Sequence, residues 1–323
     1  MHATVAVCTY NGAKRIGPVI EALGKQSIRA GAWELLVIDN ASTDETGKAA
    51  VRLIADELGG RGRVVCEPQP GLSYARARAA REAQGKIICF LDDDNIPAPD
   101  FITAAVRAFE ERPKAGVIGG KVLPRWENPP TPLAQAVAPF ALAICDRGDK
   151  AFCYKENLGP VGAGLCIRTQ VLLNIYRDQI IVRSVIGRKG AGHGGGEDLV
   201  IAVRTWQLGY ECWYVPSLNI EHLLPVSRMQ KAYLLQLYQG IGRGQAATRR
   251  ISDWRARTPL AWLIGIKDLG RWVMGCCRGP SPELRRTCPL IASDLHCLQQ
   301  KQIWSRALQT LSWSQLNSQW TND

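Results

Sequence analysis

The chain has 323 residues, 46% hydrophobic and 21% charged, which excludes a disordered protein and suffices for one large α/β domain or two small ones. Forty basic against 29 acidic side chains leave a net charge of +11, which favours polyanions, phosphorylated ligands or an anionic membrane surface without choosing among them. No run of 18 apolar residues occurs, so a spanning helix is not expected. The N-terminus, MHATVAVCTY, has no basic region and no cleavage site, which predicts a chain without a signal peptide. The 11 cysteines are scattered and form no CxxC pair; with Cys8, Cys66, Cys89 and Cys166 in apolar runs, they read as reduced, mostly buried thiols of a cytosolic protein.

In chain order, ATVAVCTY is a short apolar run and a helical pattern follows over about 13–25. WELLVIDN is a second run, with a helix over 44–58, and GRVVCEP a third, with an Ala/Arg-rich helix over about 72–84. KIICFLD is a fourth, with a helix over 100–112, and AGVIGGKVL a fifth. Strands alternating with helices predict βαβ units and a parallel sheet with right-handed crossovers. Their near-continuous apolarity predicts strands covered on both faces. WENPPTP (126–132) reads as a loop, and the pattern then loosens through GPVGAGLCIR. A glycine cluster precedes Glu197, which opens an amphipathic helix with Leu199, Val200, Val203 and Trp206 on its apolar side. From about Ser227 the chain reads as helical almost to its end, rich in Arg, Trp and Leu.

Open α/β sheets bind ligands beyond the carboxyl ends of their strands. The polar residues gather there: Thr9, Tyr10 and Asn11 after the first strand, Asp39 and Asn40 after the second, Pro68 to Gly71 after the third, and Asp92, Asp93 and Asp94 after the fourth. Adjacent like charges repel, so the three aspartates need a compensating partner. A hard divalent cation, Mg²⁺ or Mn²⁺, takes such oxygens and shares them with substrate phosphates. In an extended segment Asp92 and Asp94 point the same way, with Asp93 opposed; solvated turn residues are the alternative. Glu197 and Asp198 at a helix start fit dipole complementarity, or a general base that takes a proton from an attacking hydroxyl. Asp39 could accept hydrogen bonds from a base or ribose, or be a turn aspartate. His222 could be a third metal ligand or a structural histidine. Arg76 could reach a phosphate, with Arg78 and Arg81 as surface charge. Arg243, Arg249 and Arg250 read as a solvated face before they read as a phosphate or lipid site, and Cys276 and Cys277 as packing or simple exposure.

Four stretches in order, VAVCTYNGAKRI, LLVIDNASTDET, FLDDDNIPAPDFI and GGEDLVIAVRTWQLGY, together resemble family 2 glycosyltransferases with the GT-A fold over about 3–222. The resemblance implies an α/β, mostly parallel central sheet with flanking helices and a helical C-terminal extension. It divides the chain into a transferase domain at 1–225, with a nucleotide-sugar-binding half at 1–125 and an acceptor and base half at 126–225, and an extension at 226–323 able to meet a membrane surface. It implies nucleotide-sugar contacts from Thr9, Tyr10, Asn11, Asp39, Arg76, Asp92 and Asp93. It implies Mn²⁺ or Mg²⁺ held by Asp92 and Asp94, Asp94 more directly, with His222 nearby. Asp198 takes the place of the catalytic base, and Glu197 supports it or contacts the acceptor.

The implied reaction is inverting transfer of one sugar from a nucleotide-diphosphate donor, a UDP-sugar first, to a hydroxyl of a glycan or lipid-linked acceptor in cell-surface or exopolysaccharide biosynthesis. The implied place is the cytoplasm, peripheral on the inner face of the membrane. Processive members carry QxxRW and spanning helices; here the region reads LLQLYQGIGRGQAATRR, which points to single-sugar addition. Two rival readings stand beside this one. A phosphoryl-transfer enzyme using the Asp cluster leaves Asp39 and the Glu197–Asp198 pair without a role. A non-catalytic nucleic-acid- or membrane-binding protein fits the charge, but the ten tryptophans do not interleave with a basic stripe.

Overall fold

The structure, a computed structural model, describes residues 1–156, 158–178, 181, 196–234, 236, 237 and 241. The glycine cluster before Gly196, most of the expected helical extension, Arg243, Arg249, Arg250, Cys276 and Cys277 lie outside the described residues.

The first half follows the apolar rhythm of the sequence. Strands β1 (Ala3–Thr9), β2 (Trp33–Asp39), β3 (Gly62–Cys66) and β4 (Ile87–Asp92) are each followed by a helix or a short strand and then a helix. The helices are α1 (Ile16–Gly24), α2 (Thr46–Leu58), α3 (Leu72–Glu82) and, after the short β5 (Asn95–Pro97), α4 (Phe101–Glu111). β1 pairs in parallel with β2 on one side and β4 on the other, and β2 pairs with β3. Successive residues of a strand point to opposite faces, and both faces are buried here. Val5, Val7, Leu35, Val37, Cys89 and Leu91 meet α1, α2 and α4. Ala6, Leu36, Ile38, Ile88 and Phe90 meet α3 and two later helices, α6 (Thr169–Tyr176) and α7 (Glu197–Gln207). That is why the strands read as unbroken apolar runs instead of alternating ones.

The second half departs from a simple repeat. The fifth apolar run is the start of a long strand, β6 (Ala115–Trp126), which pairs in parallel with β9 (Glu211–Leu224). Helix α5 (Pro132–Ala141), β7 (Phe152–Cys153) and β8 (Cys166–Arg168) lie between them in sequence. β8 inserts antiparallel between β4 and β6, and the order across the sheet is β3-β2-β1-β4-β8-β6-β9-β5, with β7 also on β9. The long ladders are parallel and the antiparallel ones are short, giving the mixed, mostly parallel sheet that the resemblance implied. A third apolar cluster joins α5 to Leu224 at the end of β9 and to Met229, Leu234 and Leu237 beyond it.

Among the described residues no helix is long and apolar enough to cross a membrane. The cysteines there are free; Cys89, Cys145, Cys166 and Cys212 are buried, Cys8 is half-buried, and Cys66, on the edge strand β3, and Cys153 are exposed.

β6 and β9 shift register between Gly119 and Lys121, and a Cβ on Gly120 would stand 1.8 Å from the Leu218 carbonyl oxygen. Gly120→Ala is therefore expected to lower stability by about 1–3 kcal/mol in urea unfolding. Gly17→Ala, whose Cβ meets nothing nearer than 3.9 Å, should lose nothing.

Candidate functional site

β1 is the switch point of the sheet, with β2 and then β3 on one side of it and β4 on the other. At its end Thr9 is in register with Asp39, and Cys8 with Asp92. A cavity of about 500 Å³ opens there, walled by Thr9, Tyr10, Asp92 and Asp93, by the 159–163 segment, by the start of α7, and by Arg228.

The loops after β1 and β2 are tied to each other. Asn11 takes a left-handed conformation (φ 49°), and its side-chain Oδ1 accepts from the Thr43 N–H at 2.8 Å while its own N–H donates to the Ser42 hydroxyl at 3.0 Å. The next residue must be glycine, because a Cβ there would lie 2.0 Å from Thr9 Oγ1 and 2.5 Å from Asp93 Oδ2. Asp39 accepts the Ser42 N–H at 3.2 Å and is not in the cavity wall, which Asn40 enters instead. The Asn40 amide donates to the carbonyls of Glu67 and Gln69 at 3.1 and 2.7 Å and accepts the Gly71 N–H at 2.8 Å, fixing the loop into α3.

The three aspartates do not share one direction. Asp92 ends β4, and residues 93–94 form a turn into β5, closed by Asn95, which accepts the Asp92 N–H at 3.1 Å and donates to Asp94 at 3.0 Å. The segment is not extended, so Asp92 and Asp94 are not the same-facing pair that strand periodicity predicts. Asp92 and Asp93 reach the cavity wall; Asp94 does not. Asp93 takes a two-pronged grip from Arg15, at 3.1 and 2.8 Å, and the Thr9 hydroxyl at 2.7 Å. The same bond with Asp93 raises the Arg15 pKa, against the smaller opposing effect of its burial.

Asp94 is buried behind Arg228, which donates from Nη2 to Asp94 Oδ2 at 2.5 Å. Arg228 lies in a short 3₁₀ turn (Val226–Met229) directly after β9. The register of β9 against β5 puts His222 opposite Asn95, with His222 Nε2 3.5 Å from Asp94 Oδ1. His222 Nδ1 faces the Leu142 carbonyl at 2.8 Å and Nε2 faces Arg228 Nη1 at 2.8 Å. A carbonyl only accepts and a guanidinium only donates. The ring is therefore the neutral tautomer with hydrogen on Nδ1 and its single lone pair on Nε2. Burial is the largest single influence on the Arg228 pKa and lowers it, but the Asp94 charge and hydrogen bond, with Tyr233 and Asp92, together outweigh it and the net shift is upward.

At the start of α7 the two acids part. Asp198 lies in the cavity wall, at the positive end of the helix. Glu197, 4% exposed, turns inward. The buried Tyr176 hydroxyl donates to Glu197 Oε1 at 2.6 Å, and Arg76 Nη1 stands 3.6 Å from Oε2. Arg76, 3% exposed, lies over the Phe90 ring and also reaches the Gly162 carbonyl at 3.4 Å. Burial pushes the Glu197 carboxyl above its usual range, with Arg76 and Tyr176 acting in the opposite direction. Burial likewise raises Tyr176, with the Glu197 charge adding to it.

Thr9, Tyr10, Arg76, Asp92, Asp93, Glu197 and Asp198 thus meet in one cavity, Asp94 and His222 meet behind it, Asn11 sits in the adjoining loop and Asp39 at the end of β2. Sequence reasoning did not single out Arg15, Tyr176 or Arg228. Arg15 sits inside the NGAKR run and was within reach of notice. Tyr176 and Arg228 carry no local signal, since their partners are 21 and 134 residues away.

The donor set suits a divalent cation in part. Among the described residues no group of three or more His, Cys, Asp or Glu side chains is arranged to hold a metal ion. Asp94 and His222 do offer one carboxylate and one imidazole lone pair whose other ring nitrogen is bonded to a carbonyl, as metal-ligating histidines are. Two protein ligands suit Mg²⁺ or Mn²⁺ where substrate phosphates and water complete the shell.

The family model for glycosyl transferase family 2 matches residues 4–173. Over 252 residues the chain is 23% identical to a glucosyl-dolichyl phosphate glucuronosyltransferase of Haloferax volcanii, spanning 75% of this chain and 76% of that protein. Over 277 residues it is 22% identical to the succinoglycan biosynthesis protein ExoM of Rhizobium meliloti, spanning 82% and 80%. Among solved structures it resembles the mannosyltransferase PcManGT of Pyrobaculum calidifontis in complex with GDP-Man and Mn²⁺ (TM-score 0.53, 19% identity, 93% of this chain and 88% of that one). It also resembles S. aureus TarS 1-349 in complex with UDP-GlcNAc (TM-score 0.52, 18% identity, 78% and 70%). At these identities the structural likeness concerns the GT-A fold.

Arg76 and Glu197 form a buried ion pair, each side chain 4% exposed. Glu197→Gln keeps an acceptor for Tyr176 but leaves the guanidinium without its counter-charge, and is expected to cost about 3–5 kcal/mol in urea unfolding. The double variant Arg76→Met/Glu197→Gln should recover most of that loss.

Proposed function

Since the chain belongs to glycosyl transferase family 2, we propose that it transfers one sugar, with inversion, from a nucleotide-diphosphate sugar to an acceptor hydroxyl, with Asp198 as the base. The observation that carries this reading is a single cavity walled both by Asp92 and Asp93 at the end of β4 and by Asp198 at the start of α7. A donor bound at the strand ends can then face a carboxylate across one space.

In this reading Asp198 accepts the proton of the acceptor hydroxyl as that oxygen attacks the anomeric carbon, and one displacement inverts the centre. Glu197 is a positioning residue: its hydrogen bond from Tyr176 and its ion pair with Arg76 hold the first turn of α7, and so Asp198, in place. Tyr10 and the tied loops carrying Asn11 and Asp39 receive the nucleoside, and the Asn40 clamp shapes that side of the cavity. Asp94 and His222 would hold Mn²⁺ or Mg²⁺, with Asp92 alongside. Such an ion, when bound, supplies Lewis-acid stabilisation to the leaving diphosphate. PcManGT with GDP-Man and Mn²⁺ and TarS with UDP-GlcNAc support a nucleotide-sugar donor, and we assign a UDP-sugar first.

For the acceptor, the cavity has an aliphatic flank made by Pro139, Ala141, Ala143, Leu237 and Ile241. An aliphatic flank suits a lipid-linked acceptor. The glucosyl-dolichyl phosphate named for the Haloferax relative, and the succinoglycan biosynthesis named for the Rhizobium one, support a lipid-linked glycan intermediate as acceptor, which we assign to the inner face of the membrane. The chain from residue 226 onward then serves as the membrane-facing extension, and 1–225 as the transferase domain.

Asp198→Asn is expected to bind donor as the wild type does and to lose roughly 10²–10⁴-fold in transfer rate; near-wild-type transfer would remove Asp198 from the role. Calorimetric titration with a panel of nucleotide-diphosphate sugars, in Mn²⁺ and in chelator, is expected to show one donor binding only with the metal and not to Asp94→Ala. Binding that ignores both the chelator and the substitution would overturn the metal assignment while leaving the base untouched.

A further inference from the structure

The two side chains assigned to the cation are already joined to another cation. Arg228 spans them, Nη2 on Asp94 at 2.5 Å and Nη1 on His222 Nε2 at 2.8 Å. Asp94 and His222 are each 5% exposed, and it is Arg228 that forms the cavity wall in front of them. We propose that Arg228 is a latch on the metal site: it occupies both ligands in the absence of donor and leaves them only when an anionic diphosphate draws it away, so that metal and donor bind together. This rests on the assignment of Asp94 and His222 as metal ligands made above.

The exclusion is chemical. The Leu142 carbonyl fixes hydrogen on Nδ1, so the ring has one lone pair, on Nε2. That pair can be given to an N–H of Arg228 or to a metal ion, not to both. The carboxylate of Asp94 is less strict, since it has several acceptor positions, but a guanidinium and a divalent ion sharing it would repel strongly in a buried site.

The alternative position for Arg228 is set by the same geometry. It is six residues past His222, in a one-turn 3₁₀ segment, and it already borders the cavity that would receive the diphosphate. Guanidinium binds phosphate oxygens with the same paired donors it now divides between Asp94 and His222. A diphosphate therefore offers the partner that Arg228 loses when a metal takes its place. Neither exchange is favourable alone. Metal without donor would leave Arg228 without an anion, and donor without metal would leave Asp94 without a cation.

The test is Mn²⁺ binding, read by the free-ion electron paramagnetic resonance signal, with and without UDP, on the wild type, Arg228→Met and Arg228→Lys. Without UDP the wild type should bind Mn²⁺ weakly, and Arg228→Met roughly 10- to 1,000-fold more tightly, the gain from one removed like charge in a partly screened site. A lysine has one ammonium and cannot span both ligands as a fork, so Arg228→Lys should fall between. UDP should raise Mn²⁺ affinity more in the wild type than in Arg228→Met, which separates the latch from the plain bridging of metal and nucleotide that both proteins share. Mn²⁺ alone should also raise the thermal midpoint of Arg228→Met and leave that of the wild type unmoved. Equal Mn²⁺ affinity in wild type and both variants without UDP overturns the latch and leaves the metal site standing. No Mn²⁺ binding by any of the three, with UDP or without, overturns the metal site itself and the latch with it. If Arg228→Met does not fold, the Arg228→Lys comparison decides by the same criteria.

Discussion

Carboxylates gathered at the end of buried strands must each meet a positive charge, because an unpaired ion out of water costs several kcal/mol. The site is organised by that constraint. Asp93 is gripped by Arg15 from the β1–α1 loop, Asp94 by Arg228 from beyond β9, and Glu197 by Arg76 from α3. Each pair also joins segments remote in sequence, so satisfying the charges fixes the relative positions of the elements that wall the cavity. Asp92 and Asp198 also line the cavity, and the proposed chemistry addresses Asp198 as the base and Asp92 alongside the cation.

The backbone makes this arrangement possible by turning at the right places. Parallel strands with both faces buried leave only their ends open to polar side chains, and the switch at β1 separates the loops of α1 and α3 there. β9 then brings a second set of side chains to the same edge. Its parallel ladder with β6 and its short antiparallel one with β5 place His222 beside the turn that carries Asp94, and the Leu223 N–H bonds the Asp94 carbonyl at 2.8 Å. Asp94 is thus fixed by its backbone to the strand that supplies His222 and leads directly into the turn carrying Arg228.

Much of the first half was legible because its signal is local. Unbroken apolar runs bounded by amphipathic helices give β1 to β4 and α1 to α4 to within a few residues. The second half was not. β5, β7 and β8 are three, two and three residues long, too short for any period to show. Helix α5 contains Pro139 and falls where the sequence pattern loosens just past the 126–132 loop, and the sequence shows β9 only as a short apolar segment before His222. In the site, the residue types were legible and their directions were not. Strand periodicity faced Asp92 and Asp94 together, but the Asn95 side chain closes a turn that separates them. The adjacency of Glu197 and Asp198 suggested a shared role, yet a helix rotates neighbours by about 100°, so although both border the cavity the Glu197 carboxylate turns to the buried Tyr176 and Arg76. Arg76 was legible as a site residue, but none of the three arginine–carboxylate pairings could be read, since each is made by the tertiary fold.

The three arginines also differ in what they can do next. Arg76 is enclosed, with Phe90 beneath it and Glu197 beside it, and any departure would strand Glu197 in the core. Arg15 has nearly half its side chain in solvent but holds Asp93 with two donors and two backbone carbonyls besides, at Tyr10 and Asn11. It is a brace on the β1–α1 loop. Arg228 alone of the three bonds the side chains assigned to the metal, and it sits on a single 3₁₀ turn instead of a long helix or a tied loop. A reaction that brings in two or more negative charges needs positive charge that can be redirected toward them. Two of these guanidinium groups are committed to the architecture. The third rests on ligands that another cation can take over, so its charge can pass to an incoming phosphate without leaving Asp94 uncompensated.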